Sequence, residues 1–154
     1  VVGMGAAALF IRRTDSPDWN NAFINFDYKD LFVAPNYQVT ELWYDNFSKY
    51  RLAYEGDTKD LSALTTLSED GRHIIVKVVN ATDKPYQLAI QGNWKGISGG
   101  EYKYYAPGDL MIANSMDKKD AVALKNRSIE AADNGMMLDV EPYSAGVLTI
   151  ERTF

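Results

Sequence analysis

The spacing of apolar residues changes near position 50, and this switch does most to limit what the chain can fold into. Before it, Val39, Leu42, Trp43, Phe47 and Tyr50 recur at intervals of three and four, the signature of one apolar stripe on a helix. Glu41, Asp45 and Lys49 fall on the opposite, solvated side. Pro35 suits the first turn of that helix, where its missing N–H costs no bond. After Tyr50 the period drops to two: Ile74, Val76 and Val78 alternate with His73, Ile75 and Lys77. Tyr86, Leu88 and Ile90 do the same, as do Met136, Leu138 and Val140, and Leu148 with Ile150. Such runs predict half-buried antiparallel strands.

The turn chemistry fits. Asp70-Gly71 is expected to join a strand around Leu61–Leu67 to one around Ile74–Val79. Asn134-Gly135 is expected to join a strand around Val122–Glu130 to one around Met136–Val140. Asp83-Lys84-Pro85, Pro142-Tyr143-Ser144 and Gly99-Gly100 read as further turns. Seven or eight short strands without a long helical interruption predict a mainly β fold, an antiparallel β-sandwich, over residues 51–154. Residues 1–50 read as helix, strand and helix. Val1–Arg13, with Ala6, Ala7 and Ala8, reads as the end of a buried helix. Pro17 breaks it, and Phe23–Phe26 forms a strand ending at Asp27.

Composition narrows the function classes. The net charge is −5, and the densest basic pair, Lys118-Lys119, is flanked by Asp117 and Asp120. No basic stripe is present, so nucleic acid is not expected as a partner. The apolar opening, Val1–Ile11, is shorter than the roughly 20 residues a spanning helix needs, so no membrane is expected either. With no Cys, disulfides and thiolate metal sites are excluded, and the compartment stays open. A single His73, and acids at 57, 60, 69 and 70 without calcium-loop spacing, give no reason to expect a metal or a cofactor.

A helix, strand and helix cannot bury both of their faces alone, and such a piece is what remains when a (β/α)8 barrel is cut late in its sequence. The lack of an initiator Met is in keeping with a polypeptide that starts earlier. The run Val1-Val2-Gly3-Met4, Ala8-Leu9-Phe10, Trp19-Asn20, Phe23–Asp27, Pro35–Val39 and Leu42-Trp43 resembles the end of the barrel of the family 51 α-L-arabinofuranosidases. Ile112–Met116 with Ala121-Val122, and Pro142–Leu148, are similar to segments of that family's C-terminal sandwich. The sequence departs from the pattern at Tyr28 and Lys29, where the family has Asn-His, and at Ala8, where it has Pro or Gln.

The resemblance implies a retaining glycoside hydrolase acting on arabinose-containing carbohydrate. Two carboxyl groups about 5–5.5 Å apart would serve as acid/base and nucleophile. In the family both are glutamates on earlier barrel strands, so the resemblance implies that this chain holds no catalytic residue and is inactive alone. Its partner would be the catalytic barrel of the same polypeptide. One active-site edge is expected to survive at the C-terminal end of a barrel strand: Asp27, Tyr28 and Lys29, with Asp27 either touching substrate or capping the following loop. Trp19 either borders that edge or anchors the chain before the strand. The competing reading is an independent carbohydrate-binding β-sandwich, with Trp94 as a sugar-stacking platform near Tyr102, Tyr104 and Tyr105. Against it, Tyr102 and Tyr104 share one strand face and are expected to pack inward or against the barrel.

Overall fold

A computed structural model describes residues 9–17, 22–92, 96–132 and 135–152. Three short strands come first: β1 (Ile11–Arg13), β2 (Ile24–Phe26) and β3 (Leu31–Val33). β1 runs parallel to β2, with Ile11 beside Ile24, and β3 returns antiparallel, with Phe26 beside Leu31. The helix α1 (Pro35–Asp45) follows directly.

The described end of the expected first helix is therefore a strand. Residues 11–13 carry a β-branched Ile and two long Arg side chains, and their backbone finds partners on β2. The Phe10 carbonyl accepts from Ile24 N–H at 2.9 Å, and the Phe26 carbonyl accepts from Thr14 N–H at 2.8 Å. Val1–Ala8, which carry the alanine run, lie outside the described residues.

The helix begins as expected at Pro35, but its apolar stripe ends early. Leu42 is buried and Val39 and Trp43 pack beside it, whereas Phe47 is 76% exposed. The helix stops at Asp45, so Phe47 and Tyr50 no longer follow its period. Its last carbonyls are satisfied by side chains, as helix ends require. Asn46 Nδ2 donates to the Leu42 carbonyl at 2.9 Å, and Lys77 Nζ donates to the Trp43 carbonyl at 2.7 Å.

The remaining strands build a β-sandwich, as the alternation predicts. They are β4 (Tyr50–Leu52), β5 (Leu61–Leu67), β6 (His73–Asn80), β7 (Tyr86–Ile90), β8 (Gly99–Tyr105), β9 (Lys125–Glu130), β10 (Met136–Val140) and β11 (Ser144–Glu151). Six form one sheet in the order β4-β5-β6-β11-β8-β9, and β10 pairs with β7 in a second sheet. Met136, Leu138, Val140, Leu88 and Ile90 of the small sheet pack on Val76, Val78, Tyr102, Leu148 and Ile150 of the large one.

β6 and β11 are buried on both faces rather than half-buried. Their second face, with Ile75 and Val147, meets Leu42 of α1 and Val122. This explains why Val147-Leu148 and Ile74-Ile75-Val76 are consecutive apolar residues, the pattern of a strand covered on both sides.

Two turn readings change, at Asp70-Gly71 and Gly99-Gly100. Glu69–Arg72 form a four-residue loop between Ser68 and His73, with only Gly71 at positive φ (72°). At Asn134-Gly135 the ends of β9 and β10 meet in a single antiparallel bridge, Ala132 with Gly135, and the two strands share no longer ladder. β9 and β10 belong to different sheets, and Asn134 lies outside the described residues. Gly99-Gly100 are not a turn but open β8, and an added Cβ would stand 2.6 Å from the Ile129 carbonyl oxygen and 2.7 Å from that of Thr149. Only glycine fits there. β9 starts at Lys125, later than expected, because Val122 is pinned beneath α1.

Candidate functional site

The expected site residues Asp27, Tyr28 and Lys29 lie in the tight turn between β2 and β3. β2 is too short to carry a function alone, but its pairing on both edges fixes where it ends and hence where Asp27 points. Asp27 Oδ1 accepts the backbone N–H groups of Lys29 at 2.6 Å and Asp30 at 2.8 Å, and Asp27 N–H donates to the Asp30 carbonyl at 2.9 Å. The Lys29 and Asp30 backbone hydrogen bonds hold the Asp27 carboxyl below its ordinary pKa. Asp27 thus caps its loop, one of the two roles expected for it.

Capping leaves the tip of the turn turned outward. Tyr28 is 85% exposed, and Lys29 Nζ sits 5.3 Å from its ring centroid. An aromatic face beside an ammonium, both open to solvent, is suited to a sugar ring with its hydroxyl groups. Trp19 and Trp94 lie outside the described residues.

Three residues not singled out for this site, Asp30, Lys119 and Asn114, hold the turn and the strand after it. Asp30 forms an ion pair with Lys119, which lowers the Asp30 pKa, as does its bond from the Leu31 N–H. Asn114, buried, donates from Nδ2 to the Val33 carbonyl at 2.9 Å and to Gln38 Oε1 at 3.2 Å, and its Oδ1 accepts Val122 N–H at 2.8 Å. Asn114 and Lys119 both belong to the long β8–β9 connection of the sandwich. The signals were present in sequence as the Asn114-Ser115 motif and the Lys118-Lys119 pair, but nothing local says what they grip.

The tyrosines of β8 are core. Tyr102 and Tyr104 stack with centroids 4.7 Å apart, and Tyr102 is fully buried. Burial pushes the Tyr102 hydroxyl pKa far up. Arg127 lies 5.3 Å from both ring centroids and donates to the Asp139 carbonyl across to the other sheet. These rings offer no face to a ligand.

Where a carboxyl shift is resolved among the described residues, it is downward: Asp27, Asp30, Asp70, Glu101 and Glu141. A carboxyl held ionised accepts hydrogen bonds, whereas a general acid needs its pKa raised. A cleft of about 610 Å³ opens between the sheets at the β4–β5 loop, with Ile74, Leu88 and Ile150 on its walls and Tyr54, Asp57 and Gln91 at its rim. Among the described residues no three His, Cys, Asp or Glu side chains gather as a metal site would require. No described helix is long and apolar enough to cross a membrane.

Solved structures share this arrangement over most of the chain. An arabinose-bound family 51 α-L-arabinofuranosidase superposes with a TM-score of 0.84 at 16% identity, over 95% of this chain and 24% of its own. The fold is that of a portion of a family 51 arabinofuranosidase. The Thermotoga maritima α-L-arabinofuranosidase, solved with arabinose, matches with a TM-score of 0.72 at 18% identity, over 84% of this chain and 31% of its own. A family 86 β-porphyranase from Bacteroides plebeius is similar at a lower TM-score of 0.59 and 14% identity, over 86% of this chain and 22% of its own. The chain thus spans less than a third of each of these structures. No protein-family model and no curated protein matches the sequence.

Proposed function

We propose that this chain is the C-terminal part of an α-L-arabinofuranosidase of the family 51 type, non-catalytic alone. Residues 1–50 end its barrel and residues 51–154 form the sandwich that buttresses it. The observation that carries the reading is the family 51 likeness, which runs through the sandwich and the front strands together and reaches 95% of the chain. A free sugar-binding sandwich would have no use for a front sheet of β1–β3 with Phe10, Ile11 and Leu31 exposed. On this reading those residues face the barrel, and Tyr28 and Lys29 line one edge of the arabinose site.

The test is hydrolysis of an aryl α-L-arabinofuranoside. The longer native polypeptide is expected to cleave it and the 154-residue chain to leave it intact. In the longer polypeptide, Tyr28→Ala and Lys29→Ala should raise KM several-fold with little change in kcat. Cleavage by the short chain, or none by the long one, overturns the reading.

A further inference from the structure

We infer that the loop joining β8 to β9 is an arm of the sandwich that grips the outer edge of β3 and so positions the Asp27–Asp30 turn, with Asn114 and Lys119 as its positioning residues. Among the described residues β3 is the last strand of its sheet, so one edge of its backbone has no strand partner there. Unpaired edges are normally covered or blocked. Here the covering is done by side chains at both ends of the strand. Lys119 pairs with Asp30 just before it, and Asn114 takes the Val33 carbonyl at its far end.

The arm itself is ordered, which a grip requires. Ser115 N–H donates to the Lys118 carbonyl at 3.0 Å, and Lys118 N–H donates to Ser115 Oγ at 3.2 Å. Its far end is anchored by Val122, 2% exposed in the core beneath α1. Asn114 joins these parts, since the same amide binds Val122 on its own loop and Val33 and Gln38 on the front piece.

A buried amide serving three partners is hard to replace, because removing it leaves the Val122 N–H and Val33 C=O unpaired. The exposed Lys119–Asp30 pair is a weaker hold. Together they make the sandwich a determinant of where Tyr28 and Lys29 stand. This inference deepens the substrate-edge reading in saying what fixes that edge, but the grip itself can be tested without sugar.

The experiment is residue-resolved amide hydrogen exchange on the 154-residue chain. Asn114→Ala is expected to speed exchange at Lys29, Asp30 and Leu31 about tenfold or more, and Lys119→Met two- to threefold, while Val78 and Leu148 amides stay unchanged. Should Asn114→Ala unfold the chain, faster Leu148 exchange will reveal it, and Lys119→Met then decides. Unchanged turn amides in Lys119→Met, or in an Asn114→Ala variant whose Val122 amide has been freed, overturn the grip. Loss of the hydrolysis effects of Tyr28→Ala and Lys29→Ala would instead overturn the substrate edge and leave the grip standing.

Discussion

The core between the two sheets and the front piece of β1–β3 with α1 are stabilised in different ways. Between the sheets, Val78, Tyr102, Leu138, Leu148 and Ile150 are fully buried. The front piece has one shared core with the sandwich, around Leu42, and leaves Phe10, Ile11 and Leu31 more than half exposed. Its other ties are polar: Lys77 to the Trp43 carbonyl, Asn114 to Val33 and Gln38, and Lys119 to Asp30. The sandwich has an apolar core of its own, while the front piece leaves apolar side chains in solvent.

The largest effects should come from breaking that contrast at its cores. Leu148→Ala should lower the unfolding free energy by about 2–5 kcal/mol in denaturant titration, the range for a buried Leu truncated in a packed core. Leu42→Ala should mainly release α1, raising exchange in the front piece more than in β6 and β11. Equal exchange increases in both regions would mean that they unfold as one unit, and the contrast would fail.

Gly146→Ala comes next. Its new Cβ would stand 2.6 Å from the Tyr102 ring carbon Cε2, from the Tyr102 hydroxyl and from Tyr104 Cβ, in a stack whose two rings are both buried. Destabilisation of about 1–3 kcal/mol is expected from such overpacking, and thermal melting reads it. The two regions can be told apart again by association. Phe10→Ser with Leu31→Ser should reduce self-association of the isolated chain in light scattering without changing its melting temperature.

The smallest effect concerns pH. Asp27 and Asp30 both have folded pKa values below the ordinary 3.8. Their contribution is therefore present above 3.8 and is lost as pH falls through the lower folded values. Turn amides at Lys29 and Asp30, corrected for intrinsic exchange, should lose protection there while β6 amides keep theirs. Asp27→Asn should blunt the change.

How legible these regions were follows from where their partners sit. β6, β7, β10 and β11 were readable because alternation is a local consequence of burying one face. The double-apolar runs in β6 and β11 reflected a second covering layer, but strand order did not show, since the last strand enters the middle of the sheet. Gly99-Gly100 misled because the need for glycine there comes from Ile129 and Thr149 on neighbouring strands. β1 was hidden by a parallel partner that local pattern cannot announce. Within the site, Asp27 was legible because a cap acts on the next few residues. Asn114 was not, because its partners lie 81 and 76 positions away.

The most direct measurement is the mass of the native polypeptide that carries this sequence, sized in its source with an antibody raised against the sandwich. A product several times larger than 17.3 kDa, cleaving arabinofuranosides, is the predicted result and supplies the surface that the front piece awaits. A stable native product of about 17.3 kDa would contradict it and make this chain a free-standing domain.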